Sequence, residues 1–171
     1  MVLHAPKIKQ NMSLTYKQHE IKDITQFPEN TFGFVYITTH KPTGKSYIGK
    51  KVLFHNQKKK LGKKELAALT GVVGRRPSYK LVVKESDWKT YYGSQKDIKQ
   101  LLLEGKKDEF ERVILQFAPT KKSLTYFEIK YQMIYQVLEK PDEFFNDNIL
   151  GKFFTKDLID IKFEDFVDTH K

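Results

Sequence analysis

The chain has 171 residues, with 31 Lys or Arg against 21 Asp or Glu and a formal net charge of +10. That length suits one domain with a small extension at either end, and the charge favours a polyanionic partner. The absence of cysteine excludes a disulfide framework and a thiolate metal site. The first thirty residues are polar and no run of eighteen apolar residues occurs, so a soluble, cytoplasmic protein with no membrane segment is expected.

Residues 1–30 show no sustained period and read as an N-terminal extension with at most one short element. The stretch "GFVYITTHKPTGKSYIGKK", residues 33–51, has the pattern of a hairpin. Its runs are rich in Val, Ile, Tyr and Thr, and Pro42 and Gly44 hold the second and fourth positions of a type I turn. Val35, Ile37 and Ile48 share one parity. Tyr36 and Tyr47 fall on the other, expected to be the wetter face, together with Gly49 and Lys51.

Residues 56–84 form a basic insert holding Lys58, Lys59, Lys60, Lys63, Lys64, Arg75, Arg76, Lys80 and Lys84 against a single acid, Glu65. A one-signed run of this length beside the tyrosine hairpin predicts phosphate contact, with Lys58–Lys60, Lys63, Lys64, Arg75 and Arg76 as the polyanion-binding set. Within it "KKELAALTG" predicts a short helix stopped by Gly71, followed by a loop at "GVVGRRP".

Ser94 and Asp97 predict a capped helix with Ile98, Leu101 and Leu102 as its apolar stripe and Gly105 as its stop. "FERVILQFA" alternates as a third strand. Pro119 and Thr120 introduce the longest helix, predicted to run to about Lys140. Residues 151–171 read as an acidic, amphipathic tail around "KDLIDIKFEDFV".

The long helix contains an anomaly. Leu124, Phe127, Tyr131, Ile134, Tyr135 and Leu138 make one inward stripe at helical spacing, and Glu128 sits on it. An inward carboxylate is costly unless it is paired with Arg or Lys or holds a metal. Neighbouring strands bring Tyr36 and Tyr47 close, Gly49 leaves a gap for a ligand or backbone, and Lys51 supplies charge. Phenols, a cation and an inward carboxylate suit phosphodiester hydrolysis. A phenol serves as its base only where nearby cations favour ionisation. The cluster of Trp88, Tyr91 and Tyr92 reads as a core or loop anchor, with base stacking as the alternative. Arg112 is placed either on Glu128 or on phosphate.

The pair "FVYI" and "SYIGK", separated by a Gly-bearing turn, resembles the GIY-YIG nuclease motif. "DWKTYYGS", "FERVIL" and "TYFEIKYQ…FFNDN" are similar to phage-encoded and homing-endonuclease members, so the likeness spans about residues 33–150. It implies an α+β domain over 31–150, built on a small three-stranded antiparallel (mixed) sheet flanked by helices. It also implies metal-dependent endonuclease cleavage of DNA. By that resemblance the catalytic tyrosines are Tyr36 and Tyr47, one of which takes a proton from the attacking water. Glu128 is the ligand of a single Mg²⁺ or Mn²⁺, and the site asparagine maps to Asn148, with Asn146 second. Where the family carries a phosphate-binding Arg, this chain reads "LFHNQKKK"; Lys51, His55, Lys58, Arg75 and Arg76 are the cations available to replace it. The rival reading is a non-catalytic nucleic-acid-binding protein on the same scaffold.

Overall fold

The computed structural model of the chain describes residues 14–69, 71, 74, 75 and 77–158. Arg76 and residues 159–171, which include most of the amphipathic tail segment, lie outside the described residues. In chain order the elements begin with two short strands, β1 (Leu14–Tyr16) and β2 (His19–Ile21). The hairpin follows as β3 (Gly33–His40) and β4 (Ser46–Val52). Next come β5 (Phe54–Lys60), α1 (Lys63–Ala67) and β6 (Tyr79–Glu85). The remainder is α2 (Lys96–Leu103), β7 (Phe110–Ala118), α3 (Lys121–Ile134) and the small pair β8 (Asn148–Ile149) and β9 (Phe153–Phe154). No helix among the described residues is long and apolar enough to cross a membrane.

The main sheet has five strands in the order β2-β1-β7-β3-β4, not the three expected. The antiparallel trio β7-β3-β4 is its centre, and β1 adds to β7 in parallel, which makes the sheet mixed. Strands of three residues are too short to show a period, but Leu14 and Ile21 bury themselves in the same core as Phe34 and Tyr36.

The expected wet face of the hairpin is in fact covered. Phe34, Tyr36, Thr38 and His40 are all buried, beneath Phe27, Leu53 and Trp88 and the chain around residues 86–92. The opposite face is also sealed, because Val35 and Ile48 pack against Leu124 of α3 and against Val137 and Leu138. Each such fully buried aliphatic side chain contributes about 1.5–3 kcal/mol. Gly33 permits this packing: a Cβ there would lie 2.4 Å from the Lys51 carbonyl oxygen and 2.7 Å from Leu124 Cδ2.

Two helix ends differ from expectation. Gln95, not Ser94, caps α2, its Oε1 accepting from the backbone of Asp97 at 2.6 Å and of Ile98 at 3.2 Å. α3 starts at the Thr120 cap as its sequence suggests but ends at Ile134, and Gln136 then turns left-handed at φ 54°. Val137 and Leu138 still reach the core, from a turn and not from a helix. In the basic insert, β5 and β6 form a separate antiparallel ribbon of seven paired positions, from Phe54↔Glu85 to Lys60↔Tyr79. Lys-rich strands without alternation give little sign of this pairing.

Candidate active site

β4 forms one edge of the main sheet, so its outer backbone groups need partners. Asn146 supplies two of them. It accepts from Ile48 N at 2.9 Å and donates through Nδ2 to Ile48 O at 2.8 Å, where Gln132 Nε2 also donates at 3.1 Å. At the start of the strand, Ser46 pairs with the backbone of Glu143 and Phe145. Past Ile48 the edge opens into a cleft of about 420 Å³.

Tyr47 and Lys50 enter the cleft from β4, and Glu128 and Gln132 from α3. Ser94 and Lys96 close it from the start of α2, and Asp147 and Asn148 from beyond α3. Tyr47 and Lys50 stand on opposite faces of β4, and only at a sheet edge can both reach one space. Glu128 pairs with Lys50, Oε2 to Nζ at 2.8 Å, and the Lys50 ammonium also donates to Thr125 Oγ1 at 3.0 Å. The inward carboxylate thus has a lysine partner, while Arg112 is engaged elsewhere.

The two tyrosines differ. The Tyr47 hydroxyl shares a hydrogen bond with Ser94 Oγ at 3.0 Å, and burial raises its pKa above the usual phenol value. The Tyr36 hydroxyl is wholly buried with no hydrogen-bond partner among the described residues, and burial pushes its pKa well up, with Tyr47 and Tyr91 adding to the effect. The two rings lie 6.4 Å apart, centroid to centroid. Gly49 is what lets them sit so: a Cβ there would lie 2.6 Å from Tyr47 Cε1 and 2.9 Å from the Tyr36 oxygen. Burial thus works against ionisation of both phenols, opposite in sign to the effect of nearby cations.

The remaining predicted residues are distributed unevenly. Lys51 turns away from the cleft to Asp87, Nζ to Oδ1 at 2.6 Å, with the ammonium 3.6 Å above the centre of the Tyr91 ring. Asn148 lines the cleft but is held locally, donating to Asp147 Oδ1 and accepting from Gly151 N. Lys58, Lys59, Lys60, Lys63, Lys64 and Arg75 are exposed on the ribbon and its tip, away from the cleft. Trp88 and Tyr92 are buried anchors, with Trp88 Nε1 donating to Glu85. Arg112 contacts neither Glu128 nor solvent; its guanidinium donates to the carbonyls of Trp88, Lys89 and Tyr91 and so pins that loop.

Sequence reasoning missed Lys50 and Lys96 as the cations of the cleft, and Asp147 as its second carboxylate. Lys50 was obscured because its parity is that of the core residues. Glu128 and Asp147 are the two carboxylates lining the cleft, and one or two carboxylates completed by water and phosphate is a common Mg²⁺ shell. Among the described residues no group of three or more Asp, Glu, His or Cys gathers, so a cage-like site for a softer metal is not offered there.

Among known families, the chain matches the model described as "Putative endonuclease segE, GIY-YIG domain" over residues 14–149. No curated protein and no solved structure matches the chain.

Proposed function

The chain belongs to the segE-type GIY-YIG endonuclease family, and from that premise we propose that it is a metal-dependent DNA endonuclease acting at the cleft beside β4. The observation carrying this reading is the convergence of Tyr47, Lys50 and Glu128, from both faces of one edge strand and from α3, on a single open space. Hydrolysis of a phosphodiester needs charge on the non-bridging oxygens, an oriented water and a place for the leaving oxygen's charge.

Lys50 and Lys96 supply the positive charge that the missing Arg would give, as point charges and not as a bidentate fork. Tyr47 Oη, held by Ser94, is placed to orient the attacking water, and it receives that water's proton once the phenol has lost its own proton to solvent as cations fill the cleft. Tyr36 does not line the cleft. It supports the Tyr47 ring across the Gly49 gap and acts as a positioning residue. Glu128, with Asp147 also lining the cleft, would hold Mg²⁺ or Mn²⁺, and a bound metal would supply Lewis-acid stabilisation of charge on the departing oxygen. Lys50 neutralises Glu128 meanwhile, so the resting cleft does not bury an isolated carboxylate. The exposed cations of the insert bind the phosphate backbone beyond the cleft.

Supercoiled plasmid incubated with the purified chain should be nicked or linearised with Mg²⁺ or Mn²⁺, and excess chelator should stop it. Intact plasmid under every metal condition, with DNA still bound, would transfer the protein to the class of non-catalytic binders.

A further inference from the structure

We propose that the β5–β6 ribbon is a recognition arm that enters the major groove of double-stranded DNA and reads bases with one face. This inference rests on the reading of the chain as a DNA endonuclease and extends it from catalysis to target selection.

The ribbon stands apart from the main sheet. Among the described residues its two strands pair only with each other, and every residue in both is exposed. A lone two-stranded hairpin is marginal in water, so burial gives no reason for its length. Seven paired residues reach about 24 Å, and a major groove of about 12 Å width admits a two-stranded ribbon.

The register sorts its side chains. Directly opposed residues share a face, and faces alternate along the ladder. One face therefore holds His55↔Lys84, Gln57↔Val82 and Lys59↔Lys80. The other holds Asn56↔Val83, Lys58↔Leu81 and Lys60↔Tyr79, ending in Phe54↔Glu85. The first face offers the groups that discriminate base edges: Lys for guanine, Gln for adenine, and Val for the thymine methyl. The second carries Asn56, Lys58 and Lys60 on one strand only, and sets the exposed apolar Val83, Leu81 and Tyr79 opposite them.

Electrostatics support the same assignment. Lys59 and Lys80 lie directly opposite, an arrangement that destabilises a free ladder. Glu65 of α1 contacts Lys80, and its carboxyl is held below the usual range, first by Lys80 and also by the Gly62 amide and Lys59. One carboxylate thus serves a pair of cations at the ribbon's outer half, and a polyanion would complete the neutralisation.

Location joins the arm to the chemistry. A second hollow of about 560 Å³ runs from Lys50 past Val52 to Phe54, His55 and Asn56 at the ribbon's base. Lys50 lines both this hollow and the catalytic cleft. A duplex seated on the ribbon would therefore have a cation-marked track leading its backbone toward Glu128.

The test is methylation interference in chelator, where no cleavage occurs. A 40-bp duplex is lightly methylated with dimethyl sulfate and partitioned by the full chain. The bound fraction should be depleted in N7-methylguanine, a major-groove mark, but not in N3-methyladenine, a minor-groove mark. The variant Gln57→Ala/Lys59→Gln/Lys80→Gln alters only exposed side chains and should keep the wild-type circular dichroism spectrum. It should lose the interference and bind at least tenfold more weakly. Depletion of N3-methyladenine instead, equal affinity for single-stranded DNA or RNA of the same sequence, or an unchanged variant would each overturn the proposal. If interference is absent while plasmid is cut with Mg²⁺, the recognition arm falls and the nuclease reading stands. Interference without any cleavage has the opposite meaning.

Discussion

Replacement of Glu128 by Gln separates the catalytic from the structural role of this carboxylate. The change keeps the side chain's shape and removes its charge, leaving the Lys50 ammonium with Thr125 Oγ1 as its remaining partner. The pair is neither fully exposed nor fully buried, with side chains 34% and 14% accessible. Its loss should fall between a surface pair, about 0–1 kcal/mol, and a broken buried pair, about 3–5 kcal/mol. We expect about 1–2 kcal/mol in chelator, or a fall in Tm of roughly 2–8 °C for a chain of this size. Mg²⁺ gives the second arm. At tenfold excess over its Kd, a metal bound only to the folded wild type adds about 1.4 kcal/mol, a rise of roughly 3–6 °C. Glu128→Gln should lose that rise, the calorimetric heat of Mg²⁺ binding and plasmid cleavage together. It should retain DNA affinity, since a negative charge leaves the phosphate site. Differential scanning calorimetry with and without metal reads all the stability terms. An undiminished Mg²⁺ response in the variant would refute the reasoning and leave Glu128 as the structural partner of Lys50 alone.

Gly49→Ala places a Cβ against both tyrosine rings; it should cost about 1–3 kcal/mol by overpacking and reduce cleavage at unchanged DNA affinity, seen in parallel melting and nicking assays. Tyr47→Phe should lower the cleavage rate strongly without weakening DNA binding, and wild-type cleavage should rise as pH increases through the neutral range, because the resting phenol is held above its usual pKa; a flat profile would remove Tyr47 as proton acceptor. Tyr36→Phe removes a buried hydroxyl that has no partner, so stability near neutral pH should hold or rise by about 1 kcal/mol. Because Tyr36 has a raised folded pKa, its contribution is fully present below about pH 10, the unfolded value, and is lost as pH climbs toward the folded one; alkaline melting should thus be shallower in Tyr36→Phe than in wild type.

What the sequence reveals follows the length and regularity of each signal. β3, β4, β7 and α3 were legible because their residues repeat at strand or helix period over seven or more positions, and Thr120 and Gly105 mark helix boundaries by capping and left-handed geometry. β1 and β2 were not, because three residues cannot show alternation and β7, which ties β1 to the main sheet, is nearly a hundred residues away. β5 was hidden by its own chemistry: Lys58, Lys59 and Lys60 have poor strand preference, and their pairing with β6 depends on a connection across α1.

Parity misled where a strand lies at an edge. On a central strand, alternation separates one face from the other, so Lys51, on the side of Tyr36 and Tyr47, looked like the site cation, while Lys50 shares the parity of the core residue Ile48. β4 is the sheet's edge strand, and the cleft wraps around it, so residues of both parities meet there. Lys50 reaches Glu128 from one side while Tyr47 reaches Ser94 from the other. Lys51 is spent on holding Asp87 and Tyr91. The same edge explains the asparagines. An exposed backbone at Ile48 demands a side chain that both donates and accepts, which Asn146 provides. With Asn146 thus occupied, Asn148 is the asparagine that borders the cleft. The site is built where a strand's unpaired edge had to be closed by side chains, and the cleft begins where that closure stops.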